Sequence, residues 1–516
     1  MPNLKNLKPL ILSIFSGLLL VLIFPRFNLE LLAWVALIPL FFAIENQTLP
    51  LAALYGFLTG AVFYFCGLSW ITITLVNYGR QPEGLSWVCL GFLVFYLSAY
   101  IALFCYLAKR LSGGNPFYFF ILAPFVWISL EYIRSTHSEY GFSWLGLGYS
   151  QFLNLPLIQF ASITGVYGIS MLIVAVNAAI YLLINTCVFH RGKTNWPQTI
   201  LAAGIAIVAV GICFLYGEQA LRSSALANRA PTVKVALIQG NIDQNQKWNP
   251  LYSERINNIY RDLSLKAAES KPDLIVWPEA ATPFLFNLNK PETESLKNLI
   301  RSVHIPFVFG SPYQESGATG TTIYNRAYFI NAAGETVGSY DKIHLVPFGE
   351  FVPFRKMLWF VNKLVEMVGD FGRGESAPLF GLKNNHFSIS ICYEITFPDQ
   401  VRLPVKEGAE FLVNITNDAW YGNSAAPYQH ISMAALRAVE NRVPIIRAAN
   451  TGVSGTIDAS GKIHHATTLF VEDLVLAEIA PSRYGPTYYS LHGDVFSQAC
   501  ILMSLVMALF ALRVRK

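Results

Sequence analysis

The stretch Asn385–Pro398 reads NHFSISICYEITFP and contains a cysteine followed at once by a tyrosine and a glutamate. Residues Phe387–Cys392 alternate apolar and small side chains, which predicts a buried β-strand with Cys392 at its tip. A thiol at a strand end, beside Tyr393 and Glu394, is where a nucleophile would sit. The alternative interpretation is a small core residue, because unpaired cysteines are often buried.

The cysteines of the chain are unevenly distributed. Cys392 is the only one in the polar part of the sequence, and the other six lie in long uncharged runs, at Cys66, Cys89, Cys105, Cys187, Cys213 and Cys500. A disulfide within the polar part is therefore impossible, and the usual metal-binding spacings are absent. The adjacent His464 and His465 would point to opposite faces of a strand, so we predict no metal site and no cofactor.

The composition is that of a membrane protein. Hydrophobic residues make up 53 % of the 516 residues and charged residues 13 %, and the mean hydropathy is +0.42. Such a chain is too apolar for a soluble protein. The net charge is only +5, and the sequence has neither a basic run with interleaved aromatics nor a phosphate-binding glycine loop. We therefore expect a membrane and no nucleic acid among its partners.

Uncharged runs predict eight membrane-spanning helices, since about 20 apolar residues cross the hydrocarbon layer. The runs are Pro9–Pro25, Leu31–Ile44, Asn46–Gly79, Gly84–Ala108, Leu111–Leu130, Ile163–Val188, Thr194–Gly217 and Val495–Leu512. The first has no small-residue cleavage site after it and is expected to be retained. The chain is thereby divided into a seven-helix membrane domain (residues 1–218), a polar domain (219–494), and an eighth helix with a tail (495–516).

The basic residues that flank these helices predict the orientation. If the N-terminus is cytoplasmic, the outside loops hold only Arg26, Arg80 and Arg134. The inside segments then hold Lys5, Lys8, Lys109, Arg110, Arg191, Lys193, Arg513, Arg515 and Lys516. Both termini are therefore expected in the cytoplasm and the polar domain outside. This assignment depends on the short run Leu31–Ile44 crossing the membrane.

The polar domain alternates strand-like runs with amphipathic helices, as in Val233–Ile242 followed by Tyr252–Ser270. This pattern predicts layered α/β structure. Three motifs place charged or nucleophilic groups at predicted strand ends: WPEAATP around Glu279, YDKIHLVPFGEFVP around Lys342, and CYEITFP around Cys392.

These three side chains suit covalent acyl chemistry. A partly desolvated carboxylate at Glu279 is a better base and could take the thiol proton. The ammonium of Lys342 could stabilise the oxyanion that forms when sulfur attacks a carbonyl, which leaves a reactive thioester. A surface acid and a solvated lysine are the structural alternatives for the two charged residues, and His344 is an alternative base.

The order Glu279, Lys342, Cys392 in an alternating α/β segment resembles the nitrilase superfamily. The fuller motifs, between the last two of eight spans, resemble the apolipoprotein N-acyltransferase family over nearly the whole chain. The resemblance implies a multi-span membrane domain plus a nitrilase-like αββα sandwich on the periplasmic side of a Gram-negative inner membrane. It implies acyl transfer from a phospholipid, typically phosphatidylethanolamine, to the N-terminal amine of a diacylglyceryl-cysteine lipoprotein.

The resemblance also implies roles for individual residues. Glu279 is the expected base, Lys342 the oxyanion stabiliser and Cys392 the acylated nucleophile. Five further residues are expected to support the site or bind substrate: Glu350 as a second essential acid, Trp248, Tyr393 and Glu394 around the pocket, and Trp420 on a mobile arm.

Two segments have two interpretations each. Phe351–Val368 has apolar residues at helical spacing, which predicts either a lid that dips into the bilayer or a helix packed on the sandwich. Asn414, Asn417 and Asp418 follow a predicted strand and either line the pocket or form a turn. Gly141–Tyr149 resembles a periplasmic loop of the family.

Three functions compete at this point. Acyl transfer to a lipoprotein amine is the first, and a membrane-tethered nitrilase-like amidase with water as acceptor is the second. The eight spans and the apolar lid favour a lipid donor. A transporter with a sensing ectodomain is the third, and it predicts ionisable residues in mid-span, whereas Glu131 and Arg134 lie at a span's end.

Overall fold

The computed structural model describes residues 4–136, 141–189, 195–227, 232–317, 320–351 and 371–514. The chain forms two compact units. One comprises Met1–Thr72, Gly84–Arg222 and His492–Lys516, and the other comprises Ile73–Glu83 and Ser223–Leu491. The segment Ile73–Glu83, which the predicted boundaries assign to the membrane domain, thus groups with the second unit.

The N-terminal half is helical. In chain order its helices are α1 (Leu4–Leu22), α2 (Ile38–Ile44), α3 (Leu49–Gly67), α4 (Trp70–Asn77), α5 (Glu83–Ser112), α6 (Pro116–Thr136), α7 (Leu155–Ile158), α8 (Ala161–Thr164), α9 (Val166–Ile184) and α10 (Trp196–Ala227). Among the described residues, five helices are long and apolar enough to cross a membrane: α3, α5, α6, α9 and α10. The prediction of a multi-pass membrane protein is confirmed.

The remaining expected spans are shorter apolar helices. Leu31–Ile44 is not one continuous helix, because a 3-10 turn at Glu30–Trp34 precedes α2. Pro39 lies in the first turn of α2. Proline has no N–H, so it is tolerated at the start of a helix, but it cannot donate the hydrogen bond that would continue a helix from the preceding turn. The count of eight crossings therefore stays a prediction.

Glu131 and Arg134, near the end of α6, hold the loop Gly141–Tyr149. The indole Nε1 of Trp127 and the backbone N of Leu147 donate to Glu131 Oε2 at 2.9 and 3.1 Å. Arg134 Nη1 donates to the carbonyl of Trp144 at 2.9 Å. These ionisable groups serve the local structure of a loop, which is not the mid-span arrangement that a transporter requires.

The second unit contains all the described strands. Its helices are α11 (Pro250–Ala268), α12 (Lys290–Val303), α13 (Pro398–Lys406), α14 (Ala426–Asn441) and α15 (Tyr488–His492), and α16 (Val495–Val514) follows in the first unit. Its strands are β1 (Val233–Gln239), β2 (Leu274–Val276), β3 (Phe307–Gly317), β4 (Gly320–Ile330), β5 (Thr336–Asp341), β6 (Phe371–Gly372), β7 (Phe380–Leu382), β8 (Asn385–Ile391), β9 (Phe411–Thr416), β10 (Ile445–Ala449), β11 (Gly455–Ile457), β12 (Ile463–His464) and β13 (Asp473–Ile479).

The strands form two mixed sheets. The first has the order β13-β1-β2-β3-β4-β5, with β6 paired to β4, and the second has the order β12-β11-β10-β9-β8-β7. Strands β1, β2 and β3 are parallel, and so are β8, β9 and β10. In each sheet the carboxyl ends of the parallel strands lie at one edge, where the loops that follow them can meet.

The two sheets pack face to face between helices. Tyr328 and Ile330 of β4 belong to a buried core shared with α11 and α12. The residue between them, Phe329, points the other way, and its ring lies 5.2 Å from that of Phe387 in the second sheet. Helices α13 and α14 cover the second sheet. The predicted αββα sandwich is confirmed.

Two sequence predictions need comment. The strand that precedes Glu279, β2, ends at Val276, because Pro278 cannot donate to a ladder and the chain turns at Glu279. The predicted lid Phe351–Val368 lies outside the described residues except for Phe351.

Candidate active site

Cys392 directly follows β8 and starts a 3-10 turn, Cys392–Thr396. Its φ of +54° lies in the left-handed region, which costs energy for a residue other than glycine and which functional sites often retain. The side chain is buried, with 5 % of the residue exposed. The sharp change of backbone direction carries the thiol off the sheet at the carboxyl edge of the parallel strands.

Lys342 and Glu279 meet at the same edge of the sandwich. Lys342 directly follows β5, and its Nζ lies 3.7 Å from Glu279 Oε1 and 2.9 Å from Glu350 Oε1. Burial alone would lower the pKa of Lys342, but the carboxylates of Glu350 and Glu279 outweigh it, and the pKa is raised. The buried ammonium therefore stays charged at neutral pH, fixed between two carboxylates.

The amide of Asn325 connects those two carboxylates. Its Nδ2 donates to Glu279 Oε1 at 2.7 Å and to Glu350 Oε1 at 2.9 Å. The second oxygen of Glu279 accepts from the backbone N of Asn417 at 2.9 Å, and that of Glu350 from Val346 N at 2.8 Å. Both carboxylates are thus held rigidly.

The motifs around Glu279, Lys342 and Cys392 did not reveal Asn325, because it lies within β4 and not at a strand end. A signal was present, since Asn325 shares a face of β4 with Ala327 and Phe329, which are buried between the sheets. A polar side chain on such a face needs a hydrogen-bonding partner.

The thiol of Cys392 is electrostatically coupled to both charged neighbours. Burial raises its pKa, and the Glu279 carboxylate raises it further, whereas the Lys342 ammonium lowers it. The net direction is upward, so the sulfur is protonated at neutral pH. A thiol is a poor nucleophile in that form, and attack therefore needs a base that takes the proton at the moment of reaction.

Glu394 ties together the two turns that carry Cys392 and Lys342. Its Oε2 accepts from Ile391 N at 2.7 Å, and its Oε1 accepts from the Tyr340 hydroxyl at 2.8 Å and from Ile343 N at 2.7 Å. Burial raises the pKa of Glu394, and the hydrogen bond from Ile391 N and the charge of Lys342 oppose that shift. The carboxylate holds the backbone on both sides of the site.

Tyr393 and His344 belong to an aromatic cluster beside the site. The His344 ring stacks on Phe397 with centroids 3.6 Å apart, and the Tyr393 ring meets Phe397 edge-on at 4.9 Å. His344 thus packs against an aromatic ring, while Glu279 faces the Lys342 ammonium. The arrangement favours Glu279 over His344 as the base.

The two predicted tryptophans differ in environment. Trp248 is 43 % exposed, so it lies at the surface of its turn and not within the buried cluster. Trp420 is partly buried, its carbonyl accepts from Thr74 Oγ1 at 2.8 Å, and its ring meets Tyr78 edge-on at 5.3 Å. The segment Ile73–Glu83 therefore contacts the expected arm directly.

Lys247, next to Trp248, is a buried residue that the motifs did not indicate. It is fully buried, and its Nζ donates to the backbone carbonyl of Glu279 at 3.2 Å. Burial lowers the pKa of Lys247 to about 8, although the charge of Glu279 opposes the shift. An ammonium thus lies behind the loop that carries Glu279.

Family models match both halves of the chain. An apolipoprotein N-acyltransferase N-terminal domain matches residues 16–179, and a carbon-nitrogen hydrolase domain matches residues 234–489. The αββα sandwich with its Glu, Lys and Cys cluster is consistent with the second match. Fold and site together define a membrane-bound protein of the carbon-nitrogen hydrolase, or nitrilase, superfamily.

Relatives cover almost the full length. A protein named apolipoprotein N-acyltransferase from Geobacter metallireducens is 41 % identical over 504 residues, 98 % of this chain and 95 % of the relative. One of the same name from Haemophilus influenzae is 33 % identical over 507 residues, 96 % of this chain and 94 % of the relative. The chain belongs to the apolipoprotein N-acyltransferase family, and acyl transfer is supported over the amidase alternative.

A solved structure is also similar to part of the chain. The crystal structure of an amidase from Nesterenkonia sp. is 19 % identical, with a TM-score of 0.37, and the match covers 52 % of this chain and 92 % of the amidase.

Proposed function

We propose that this protein moves a fatty acyl chain from a phospholipid to the N-terminal amine of a diacylglyceryl-cysteine lipoprotein through a thioester on Cys392. The observation that carries the proposal is the buried Lys342 ammonium, 3.7 Å from Glu279 Oε1 and electrostatically coupled to the Cys392 thiol. Base, nucleophile and fixed positive charge are the three groups that acyl transfer through a thioester requires.

In the first half-reaction, Glu279 takes the proton from the Cys392 thiol as the sulfur attacks an ester carbonyl of the phospholipid. The Lys342 ammonium stabilises the oxyanion of the tetrahedral state. When this state collapses, the carbon–oxygen bond to the glycerol backbone breaks, and the alkoxide leaves with the proton held by Glu279. The products are a lysophospholipid and the acylated cysteine.

In the second half-reaction, the lipoprotein amine attacks the thioester carbonyl. Glu279 accepts a proton from the amine, and the second tetrahedral state collapses with loss of the Cys392 thiolate, which regains a proton from Glu279. An amide forms and the free enzyme returns. Glu350 and Asn325 keep Lys342 and Glu279 in place throughout, since each contacts the charged groups directly.

The proposal includes a setting in the cell. Phosphatidylethanolamine is the expected donor, and the expected location is the inner membrane of a Gram-negative bacterium with the second unit in the periplasm. The positive-inside distribution of Lys and Arg supports this orientation. Tyr393, Trp248 and Trp420 are proposed to contact the substrates, and Glu394 to support the site.

The purified full-length protein tests the proposal. It should convert a diacylated lipopeptide to the triacylated product when it is supplied with labelled phosphatidylethanolamine. Intact-mass measurement before the lipopeptide is added should show one acyl chain on the peptide that contains Cys392. Cys392→Ser should make no amide product and keep the melting temperature of the parent. Product formation without an acylated Cys392 would refute the thioester route.

A further inference from the structure

A completely buried group of charged and polar side chains lies beside the turn that carries Cys392. His430 of α14 places Nε2 3.2 Å from the carbonyl oxygen of Cys392. Its Nδ1 lies 3.0 Å from Asp418 Oδ1 and 3.0 Å from Arg447 Nη2. Arg447 Nη2 in turn lies 2.9 Å from Asp418 Oδ2. The three side chains show 0 % exposure.

The partner of Nε2 determines the role of that ring nitrogen. A carbonyl oxygen only accepts, so Nε2 must donate to Cys392. Nδ1 lies between Asp418, whose carboxylate only accepts, and Arg447, whose guanidinium only donates. Burial, followed by the charge of Arg447, lowers the pKa of His430, and the carboxylate of Asp418 opposes this shift.

Asp418 balances the charge of Arg447. Burial by itself would raise the pKa of Asp418, but Arg447 and His430 outweigh it and lower the pKa to about 2. The Thr416 hydroxyl donates to the same Asp418 oxygen that faces His430, at 3.0 Å. The pair of Asp418 and Arg447 is therefore a fixed ionic support for the imidazole.

The bond from His430 fixes one particular peptide plane. The carbonyl of Cys392 and the N–H of Tyr393 belong to the same planar trans unit and point in opposite directions. Tyr393 is the second residue of the 3-10 turn, and the first N–H groups of a helix have no acceptor within it. Holding the carbonyl towards His430 therefore aims the Tyr393 N–H away from His430.

This peptide needs such an anchor. Cys392 has a φ of +54°, a conformation that persists for a residue other than glycine only where its surroundings impose it. Glu394 holds the backbone on the other side of Cys392 by accepting from Ile391 N at 2.7 Å. His430 supplies the corresponding contact after Cys392.

We propose that His430, supported by Arg447 and Asp418, is a positioning residue that orients the Cys392–Tyr393 peptide so that the Tyr393 N–H joins Lys342 in stabilising the oxyanion. This inference rests on the proposed function, because it concerns the tetrahedral state formed at Cys392. It assigns to the buried group a part in the acylation step and not merely in the packing of α14.

Two substitutions with the same functional group separate the positioning role from simple packing. In His430→Gln the amide nitrogen can occupy the position of Nε2 and still donate to Cys392. In His430→Asn the amide reaches only the position of Nδ1, so it keeps polar contact with Asp418 and Arg447 but loses the carbonyl. Both variants keep a polar side chain at the buried position.

Two reactions of the same sulfur provide the measurement. The first is single-turnover acylation of Cys392 by phosphatidylethanolamine in mixed micelles, which passes through an oxyanion. The second is alkylation of Cys392 by iodoacetamide, a direct displacement that forms no oxyanion. Mass spectrometry of the Cys392 peptide reports both rates, and thermal melting reports the integrity of the fold.

We expect His430→Asn to acylate roughly 10- to 100-fold more slowly than the parent while its alkylation rate changes less than about threefold. His430→Gln should acylate within about threefold of the parent. His464→Asn is the matched control, since His464 pairs with Asp458 at 2.8 Å in a hairpin that holds none of the proposed catalytic residues, and it should leave both rates unchanged.

Equal acylation by the Gln and Asn variants would overturn the inference, as would a parallel loss of acylation and alkylation in His430→Asn. If the parent chain itself acquires no acyl group on Cys392, the proposed function fails, and that result is distinguishable because it does not depend on any variant of His430.

Discussion

The Glu350 carboxylate lies 2.9 Å from the ammonium of Lys342, closer than the 3.7 Å that separates this ammonium from Glu279. The acid that is proposed to take the proton is thus not the main ion-pair partner of the lysine. In the proposed mechanism Glu350 neutralises and positions Lys342, which leaves Glu279 available as a base.

This division of labour predicts the effect of Glu350→Gln. The variant keeps the shape of the side chain but removes the charge that holds Lys342, so acyl transfer should fall about 10- to 100-fold. The melting temperature should stay within a few degrees of the parent. Glu335→Gln, in the exposed turn between β4 and β5, is the control and should leave turnover unchanged. Full activity in Glu350→Gln would remove the positioning role.

Asn325→Asp should be more harmful than its small size change suggests. It replaces the donor that faces Glu279 and Glu350 with a third carboxylate in a buried site, where like charges repel strongly. We expect at least about tenfold slower turnover, with partial recovery at pH 6 relative to pH 8, because protonation of the new acid restores a donor.

A matched control exists for that substitution. Asn331 donates to Glu335 Oε2 at 2.9 Å in an exposed turn, so Asn331→Asp creates the same juxtaposition in solvent. It should leave turnover and its pH dependence unchanged. An identical pH profile in Asn325→Asp and the parent would contradict the bridging role of Asn325.

Glu394→Gln should act mainly on stability. The carboxylate accepts from Tyr340, Ile343 and Ile391, and an amide NH2 would face a donor on at least one side. A buried donor left without an acceptor costs about 1–3 kcal/mol. We expect Glu394→Gln to lower the melting temperature more than Glu350→Gln does. Per folded molecule, Glu350→Gln should lose more activity than Glu394→Gln. A larger fall in melting temperature for Glu350→Gln, together with a larger loss of activity for Glu394→Gln, would contradict these two roles.

The alternation of strands and helices predicted layered α/β structure, and the family resemblance implied the αββα sandwich. The strand-end motifs selected Glu279 and Lys342, which the structure brings together at one edge of the sandwich. The motifs did not indicate that Asn325 and Lys247 would contact the site. Their importance depends on which distant chain segments pack against them, and neither lies at the end of a predicted strand. The break before α2 was not predicted for a different reason, because hydropathy does not distinguish one continuous apolar helix from a 3-10 turn followed by a separate helix.

Lys247 predicts a pH dependence of stability. Its pKa is about 8 in the folded protein and near 10.4 in an unfolded chain, so between these values the unfolded state binds more protons. The free energy of unfolding should therefore rise as the pH increases from 8 to about 10. Lys247→Met removes the buried charge, so its stability advantage over the parent should shrink across the same range.

Melting temperatures of the parent and the Lys247→Met variant at pH 7, 8, 9 and 10 check this prediction. Lys234→Met provides the comparison, because the Lys234 side chain is 56 % exposed and pairs with Glu478 at the surface. The difference between that variant and the parent should vary little below pH 10. A constant difference for Lys247→Met would mean that the buried amine does not titrate in this window.

The proposed orientation can be tested with single labelled positions. Leu251 is 87 % exposed in the second unit, and Asn195 is exposed before α10, in a loop expected in the cytoplasm. In intact cells whose outer membrane is permeable to the reagent, a membrane-impermeant maleimide should label Leu251→Cys. Asn195→Cys should react only after the inner membrane is opened. The reverse pattern would place the second unit in the cytoplasm.

The grouping of Ile73–Glu83 with the second unit affects how this enzyme can be dissected. A recombinant fragment cut at Ser223 and Leu491 would contain every strand of the sandwich and all three proposed catalytic residues, yet it would lack Thr74 and Tyr78, the neighbours of Trp420. In such a fragment, Trp420 would lack the hydrogen bond from Thr74 and the ring contact with Tyr78. An excised soluble version would need this short peptide supplied in trans or grafted back by a linker.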